Sequence, residues 1–145
     1  MLEQALAISR EIGDRWSVAN SLSSLGDVAL TQDDLVAARV FLSESLNINR
    51  ELNDRQALAF LLEYFGVLAA KRGQAQSAWR LVGAAKGLRG LIGAPLSPSE
   101  QTRLDETLAN VTSGCAPGDL EAWTESGRQL NVEAALALAV ESSAP

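Results

Sequence analysis

The chain has 145 residues, 47% of them hydrophobic and 21% charged, enough to bury a core in one domain or a short stack of helices. It has no histidine and a single cysteine, Cys115, which excludes an internal disulfide and removes the commonest general base and metal ligand. The net charge of −6 lies wholly in residues 90–145, where eight carboxylates face only Arg103 and Arg128, so no basic stripe is offered to nucleic acid or to a membrane surface.

The first predicted element is a helix over residues 2–12, with Leu2, Ala5, Leu6, Ile8 and Ile12 as its apolar positions. Asp14 stands where a carboxylate can accept from free backbone N–H groups, so it opens a second helix over 15–31. Val18, Leu22, Leu25 and Ala29 form the apolar stripe of that helix. Asp33-Asp34 end it and start a third over 34–51, carrying Ala38, Leu42 and Leu46. Asp54 opens a fourth over 55–72, with Leu58, Leu62, Phe65 and Ala69. Gly73-Gln74 separate it from a fifth over 75–92, with Ala78, Val82 and Ala85.

The pattern changes after Gly93-Ala94-Pro95. Ser97-Pro98-Ser99-Glu100 is a capping box with proline at the first helical position, opening a helix to about residue 112 with Leu104, Leu108 and Val111 on one face. Residues 113–118 read as a loop. A short helix follows from Asp119 with Leu120 and Trp123. Asn131 caps a last helix bearing Val132, Leu136, Ala139 and Val140.

Residues 2–41 laid on 42–81 match at 12 of 40 positions without a gap. The identities include Arg10-Glu11 with Arg50-Glu51, Asp14-Arg15 with Asp54-Arg55, Leu22 with Leu62, Gly26 with Gly66 and Ala38 with Ala78. A period near forty residues signals stacked helical pairs. Gly26, Gly66, Ala38 and Ala78 would let paired helices approach closely. The chain would then begin half-way through a repeat, with residues 1–93 as repeats and 94–145 as an acidic helical cap. The expected fold is all-α: a right-handed α-solenoid of antiparallel helix pairs closed by that cap.

The orders Leu22, Leu25-Gly26, Ala29, Ala38, Leu42, Ser45 and Leu62, Phe65-Gly66, Ala69, Ala78, Val82, Ala85 resemble a tetratricopeptide repeat, in an extended form. The chain also resembles the C-terminal repeat region of large bacterial signalling ATPases and regulators of the LuxR/MalT-like group. That likeness is carried by Arg50-Glu51-Leu52-Asn53-Asp54-Arg55, by residues 81–85 with Ile92-Gly93-Ala94-Pro95-Leu96, and by Trp123 to Gly127 with Leu130 to Leu138. The resemblance implies that the first-type helices line a concave groove. It places Asn20, Ser23, Asp27, Phe60, Glu63, Val67 and Lys71 on that face.

Residues that could carry chemistry read more simply as structure. The glycines Gly83, Gly87, Gly90 and Gly93 follow no strand and belong to no phosphate loop. Cys115 lacks a histidine to activate it. Trp79 and Trp123 are expected in the core, while Trp16 sits beside the linking turn. Arg10, Arg15, Arg50 and Arg55 are expected to pair with Glu11, Asp14, Glu51 and Asp54. No catalytic residue, cofactor or metal is expected.

No run of about 18 apolar residues and no secretory signal occurs, so a cytoplasmic protein without a membrane span is expected. The expected function is a non-catalytic scaffold for a protein or peptide partner, within a bacterial signalling or regulatory protein. The alternatives are a small-molecule effector-sensing region of a transcriptional regulator, and a purely structural self-association element. The apolar positions of residues 2–12 exceed what one solvated helix needs, so weak homodimerisation through that helix is also expected.

Overall fold

Aspartate sets where the repeat helices begin. In the computed structural model, which describes residues 2–11 and 14–145, Asp14, Asp34 and Asp54 are the N-caps of α2 (Arg15–Thr31), α3 (Leu35–Leu52) and α4 (Arg55–Lys71). Their carboxylates accept from the backbone N–H groups of Ser17, Ala37 and Ala57, each at 3.1 Å. Each bond satisfies a donor that the helix itself leaves free. Gln74 holds the fourth place in this series, before α5 (Ala75–Ile92), and makes no side-chain cap.

The helix ends follow the same rhythm. Asp33 (φ 57°) and Gly73 (φ 79°) are forty residues apart and both left-handed, as are Asn53 (φ 53°) and Gly93 (φ 67°). Left-handed residues terminate a helix by turning the chain back. The turn therefore repeats even where its residue type does not.

α1 (Leu2–Glu11) precedes these helices and packs against α2. Ala5 is exposed and Leu6 half-buried. The side chains of Leu2, Ile8, Arg10 and Glu11, and the whole of Ile12, lie outside the described residues. α6 (Pro98–Thr112), α7 (Pro117–Arg128) and α8 (Val132–Ser143) complete the chain. The protein is thus all-α, with no strand among the described residues, and none of its described helices is long and apolar enough to cross a membrane. The seventh helix starts at Pro117 rather than Asp119, because proline, whose missing N–H costs nothing at that position, occupies its first turn.

The main contacts pair α2 with α3 and α4 with α5, and α3 with α4 joins the two pairs. Leu22, Leu42, Leu46, Leu58, Leu61, Leu62, Phe65 and Leu81 are all at most 2% exposed. Burying each such side chain contributes roughly 1.5–3 kcal/mol before conformational entropy is subtracted. Gly26 and Gly66 sit where the paired helices touch. A Cβ on Gly26 would lie 2.5 Å from Leu42 Cδ2, and one on Gly66 3.2 Å from the Ala78 carbonyl. Ala38 and Ala78 are fully buried opposite them.

The last three helices pack on the second pair. α7 crosses α5 at backbone distance: Cβ atoms on Gly83 or Gly127 would collide with the carbonyls of Thr124 and Arg80. Gly87 abuts Arg128 in the same way. The glycines of α5 therefore seat α7. α8 runs alongside α4 in the same direction. At one end Arg50 pairs with Glu133 at 2.5 Å. At the other, Arg72 donates to the carbonyls of Ser142 (2.9 Å) and Ala144 (2.7 Å). Ala135, Leu136 and Ala139 of α8 are buried. α6 takes a different route and lies against α4 on the side that also faces α2.

Of the turn arginines, Arg15 pairs within the expected set and Arg50 outside it. Arg15 bridges to Glu51 on α3, and Arg50 reaches Glu133 on α8. Asp14 and Asp54 serve instead as caps. Trp79 is half-buried against the core and Trp123 half-buried, whereas Trp16 is 57% exposed.

Candidate functional site

α2, α4 and α6 enclose a groove of about 360 Å³, open to solvent. α4 forms its floor with Phe60, Tyr64 and Val67. α2 contributes Leu30 and Thr31 along one wall. α6 and the segment before it close the other wall with Leu96, Leu104, Thr107 and Val111. The groove exists because α6 packs on α4 and reaches α2 chiefly through one long side chain. Arg103 of α6 donates to both carboxylate oxygens of Asp27 on α2, at 3.1 and 3.3 Å. That bridge spans the groove mouth.

The rim is charged and internally paired. Lys71 donates to Asp33 at 2.5 Å, which ties α4 to the turn after α2. Glu100 accepts from the backbone N–H of Ser97 at 2.9 Å and closes the capping box of α6. That hydrogen bond holds its carboxyl below the usual glutamate range.

Glu63 lies at the inner end of the groove and is buried. Arg89 of α5 meets it in a two-pronged pair, with Nε and Nη2 each 2.8 Å from a carboxylate oxygen. Arg89 also donates to the Ala94 carbonyl at 2.9 Å and lies 4.3 Å from the centre of the Phe60 ring. The guanidinium therefore joins α4, α5 and the entry to α6. Burial pushes the Glu63 carboxyl up, against the opposing pull of Arg89. Tyr64 is pushed up to about 12, by burial first and then by the Asp27 carboxylate, so its hydroxyl keeps its proton at any ordinary pH.

Of the residues that the repeat resemblance places on the concave face, Asp27, Phe60, Glu63, Val67 and Lys71 line this groove. Asn20 and Ser23 do not. Asn20 is exposed on α2, and Ser23 shares a 2.7 Å hydrogen bond with Ser45 of α3. Ser45 donates in turn to the Ala19 carbonyl and accepts from Asn49. Ser23 and Asn49 are the forty-residue equivalents of Glu63 and Arg89, so both repeats link their two helices by a polar bridge at the same place, part-buried and relayed through Ser45 in the first and buried and direct in the second. Glu63 is consequently a bracing residue whose oxygens are already occupied.

Tyr64, Leu30, Leu96, Arg103, Leu104 and Val111 also line the groove and are absent from the sequence-based set. The apolar spacing of Leu104 and Val111 marks an amphipathic helix, but periodicity does not tell which surface such a helix covers.

The arrangement offers an apolar trough with a tyrosine hydroxyl and a charged margin. Among the described residues, no group of three or more acidic or cysteine side chains is close enough to hold a metal ion. Compared with protein-family models, with characterised proteins and with solved structures, the chain matches none.

Proposed function

We propose that the chain is a non-catalytic interaction module, a short right-handed solenoid of tetratricopeptide-like pairs that holds a segment of another protein in the α2–α4–α6 groove. The observation that carries this reading is the groove itself. Phe60, Tyr64, Val67, Leu96 and Leu104 present apolar surface inside a rim whose charges are already paired. Such a trough rewards an apolar side chain from a partner while the rim fixes its direction. The forty-residue period, the recurring left-handed turns and the glycine contacts support the solenoid.

The test is selection of peptides from a random displayed library on the whole chain, followed by NMR mapping of the bound peptide. Shifts centred on Leu30, Tyr64 and Val67 are expected. Shifts confined to the α7–α8 side would contradict the reading.

One observation favours a second reading, an effector-sensing role. The groove volume of about 360 Å³ lies at the small-molecule scale. Under that reading a single metabolite, not a peptide, raises the melting temperature, and Tyr64→Ala abolishes the rise.

A further inference from the structure

The concave face already holds a helix, and that helix shows what the face accepts. α6 places Leu104 and Leu108, four residues apart, toward α4; Leu104 is half-buried and Leu108 fully buried. The residue before Leu104 is Arg103, which bonds Asp27. An amphipathic helix seated by leucines one turn apart, with a cation aimed at Asp27, is therefore compatible with this surface.

α6 is also the least anchored helix of the C-terminal three. Its main packing is on α4 alone, with Leu108 and Thr112 its buried residues, and the Thr112 hydroxyl bonds within its own helix. The Arg103–Asp27 bridge is solvent-exposed on the arginine side and lies in the salt-screened regime. By contrast, α7 is keyed to α5 by glycine contacts between backbones. α8 is fastened at both ends by Arg50 and Arg72. Gly93-Ala94-Pro95 precede α6, and Ser113-Gly114 follow it, with both glycines clear of any neighbour within 4 Å. Leaving this seat withdraws Leu108 from the core and breaks the Arg103–Asp27 bridge.

We propose that α6, one wall of the groove, is a built-in and displaceable cover of the α2–α4 face, and that the partner is an amphipathic helix of another protein that takes its place with the same chemistry: leucines four apart, preceded by a basic residue that takes over Asp27. This rests on the groove being the working surface. Displacement leaves Asp27 without a cation, whereas Glu63 keeps Arg89 and Lys71 keeps Asp33. The exposed face thus carries one unsatisfied carboxylate, which selects a basic helix and sets its register.

The test uses the full chain and a fluorescein-labelled synthetic peptide of residues 97–113, read by anisotropy and by amide hydrogen exchange of α6. Arg103→Glu opposes Asp27 by like charge and touches no core residue. Leu104→Asp is a second, independent way to unseat the helix. Both variants are expected to lose protection in α6 alone and to bind the peptide about tenfold or more tighter than wild type, since affinity scales with the fraction of open groove. In a chain carrying Asp27→Arg, a peptide with Arg103→Glu should bind tighter than the native peptide.

Unchanged protection of α6 in both variants would overturn the proposal. So would an opened chain that fails to bind the peptide, or one that ignores the charge exchange. Library-selected peptides that lose affinity in Tyr64→Ala, yet bind wild type and Arg103→Glu equally, would sink this proposal and leave the groove reading standing. Peptides indifferent to Tyr64→Ala would instead remove the groove reading itself.

Discussion

Arg89 holds Glu63 through two 2.8 Å hydrogen bonds beneath the groove, at the positions where the preceding repeat has Asn49 and Ser23. Both side chains are buried, at 6% and 7% exposure. Removing one partner alone strands a charge inside the protein. Glu63→Ala is therefore expected to destabilise the fold by about 3–5 kcal/mol. The triple change Glu63→Ser, Ala85→Ser and Arg89→Asn installs the neutral bridge of the first repeat and should recover most of that loss. Urea denaturation of the two variants checks this. A triple variant no better than Glu63→Ala would show that the two bridges are not equivalent.

The glycines of α5 divide by what they face. Gly83 meets the backbone of α7, whereas Gly90 has nothing within 4 Å. Gly83→Ala should destabilise by about 1–3 kcal/mol through forced separation of the helices. Gly90→Ala should stabilise by about 0.5–1 kcal/mol, since alanine restricts the unfolded chain and suits a helix interior. Thermal melts of both variants decide the matter. Equal shifts of the same sign would contradict the close crossing.

Gln74 occupies the cap position that Asp14, Asp34 and Asp54 fill elsewhere, and its side-chain oxygen is buried without a hydrogen-bond partner. Gln74→Asp should supply the missing acceptor to the first turn of α5 and add about 1 kcal/mol of stability. The denaturant midpoint should rise with no change in slope. An unchanged midpoint would mean that the turn at Gly73 holds the cap residue out of reach.

Much of this was legible in the sequence, because local chemistry decided it. The aspartate caps, the capping box at Ser97 and the apolar spacing of residues 15–31 and 75–92 act within one turn of helix, and those helices lie where the pattern places them. The seat of α6 was not legible. Leu104 and Leu108 announce an apolar face, but the surface that covers it is chosen by three-dimensional fit and by one long-range pair, Arg103 with Asp27. Gly83 and Gly127 likewise make sense only as partners across a crossing. The repeat resemblance places Glu63 on the concave face. Its equivalence to Ser23, and that of Arg89 to Asn49, was the available signal that it braces the pair from within.

Acid should loosen the first turn of α6. Glu100 has a lowered folded-state pKa, so its contribution is present above the ordinary glutamate value of 4.5 and is lost as pH falls through the folded value. Glu63 has the opposite sign, since its raised value gives a contribution present below 4.5 that fades as pH rises through the folded value. A global melt therefore mixes opposing effects, whereas hydrogen exchange at the first turn of α6 isolates Glu100. Protection there should fall below pH 4.5, and Glu100→Gln should flatten the dependence. A steep dependence that survives Glu100→Gln would assign it to another group.

The most direct measurement is the affinity of one library-selected peptide for the wild-type chain, Tyr64→Ala and Val36→Ala. Tyr64 lies on the groove floor, and Val36 is 73% exposed on α3, away from it. Truncating a floor aromatic should cost about 2 kcal/mol or more of binding, a loss of roughly thirtyfold. That loss is expected for Tyr64→Ala at a temperature where its helical circular dichroism matches wild type, with wild-type affinity for Val36→Ala. Equal affinity for all three chains, or a loss confined to Val36→Ala, would contradict the claim that this groove is where the protein holds its partner.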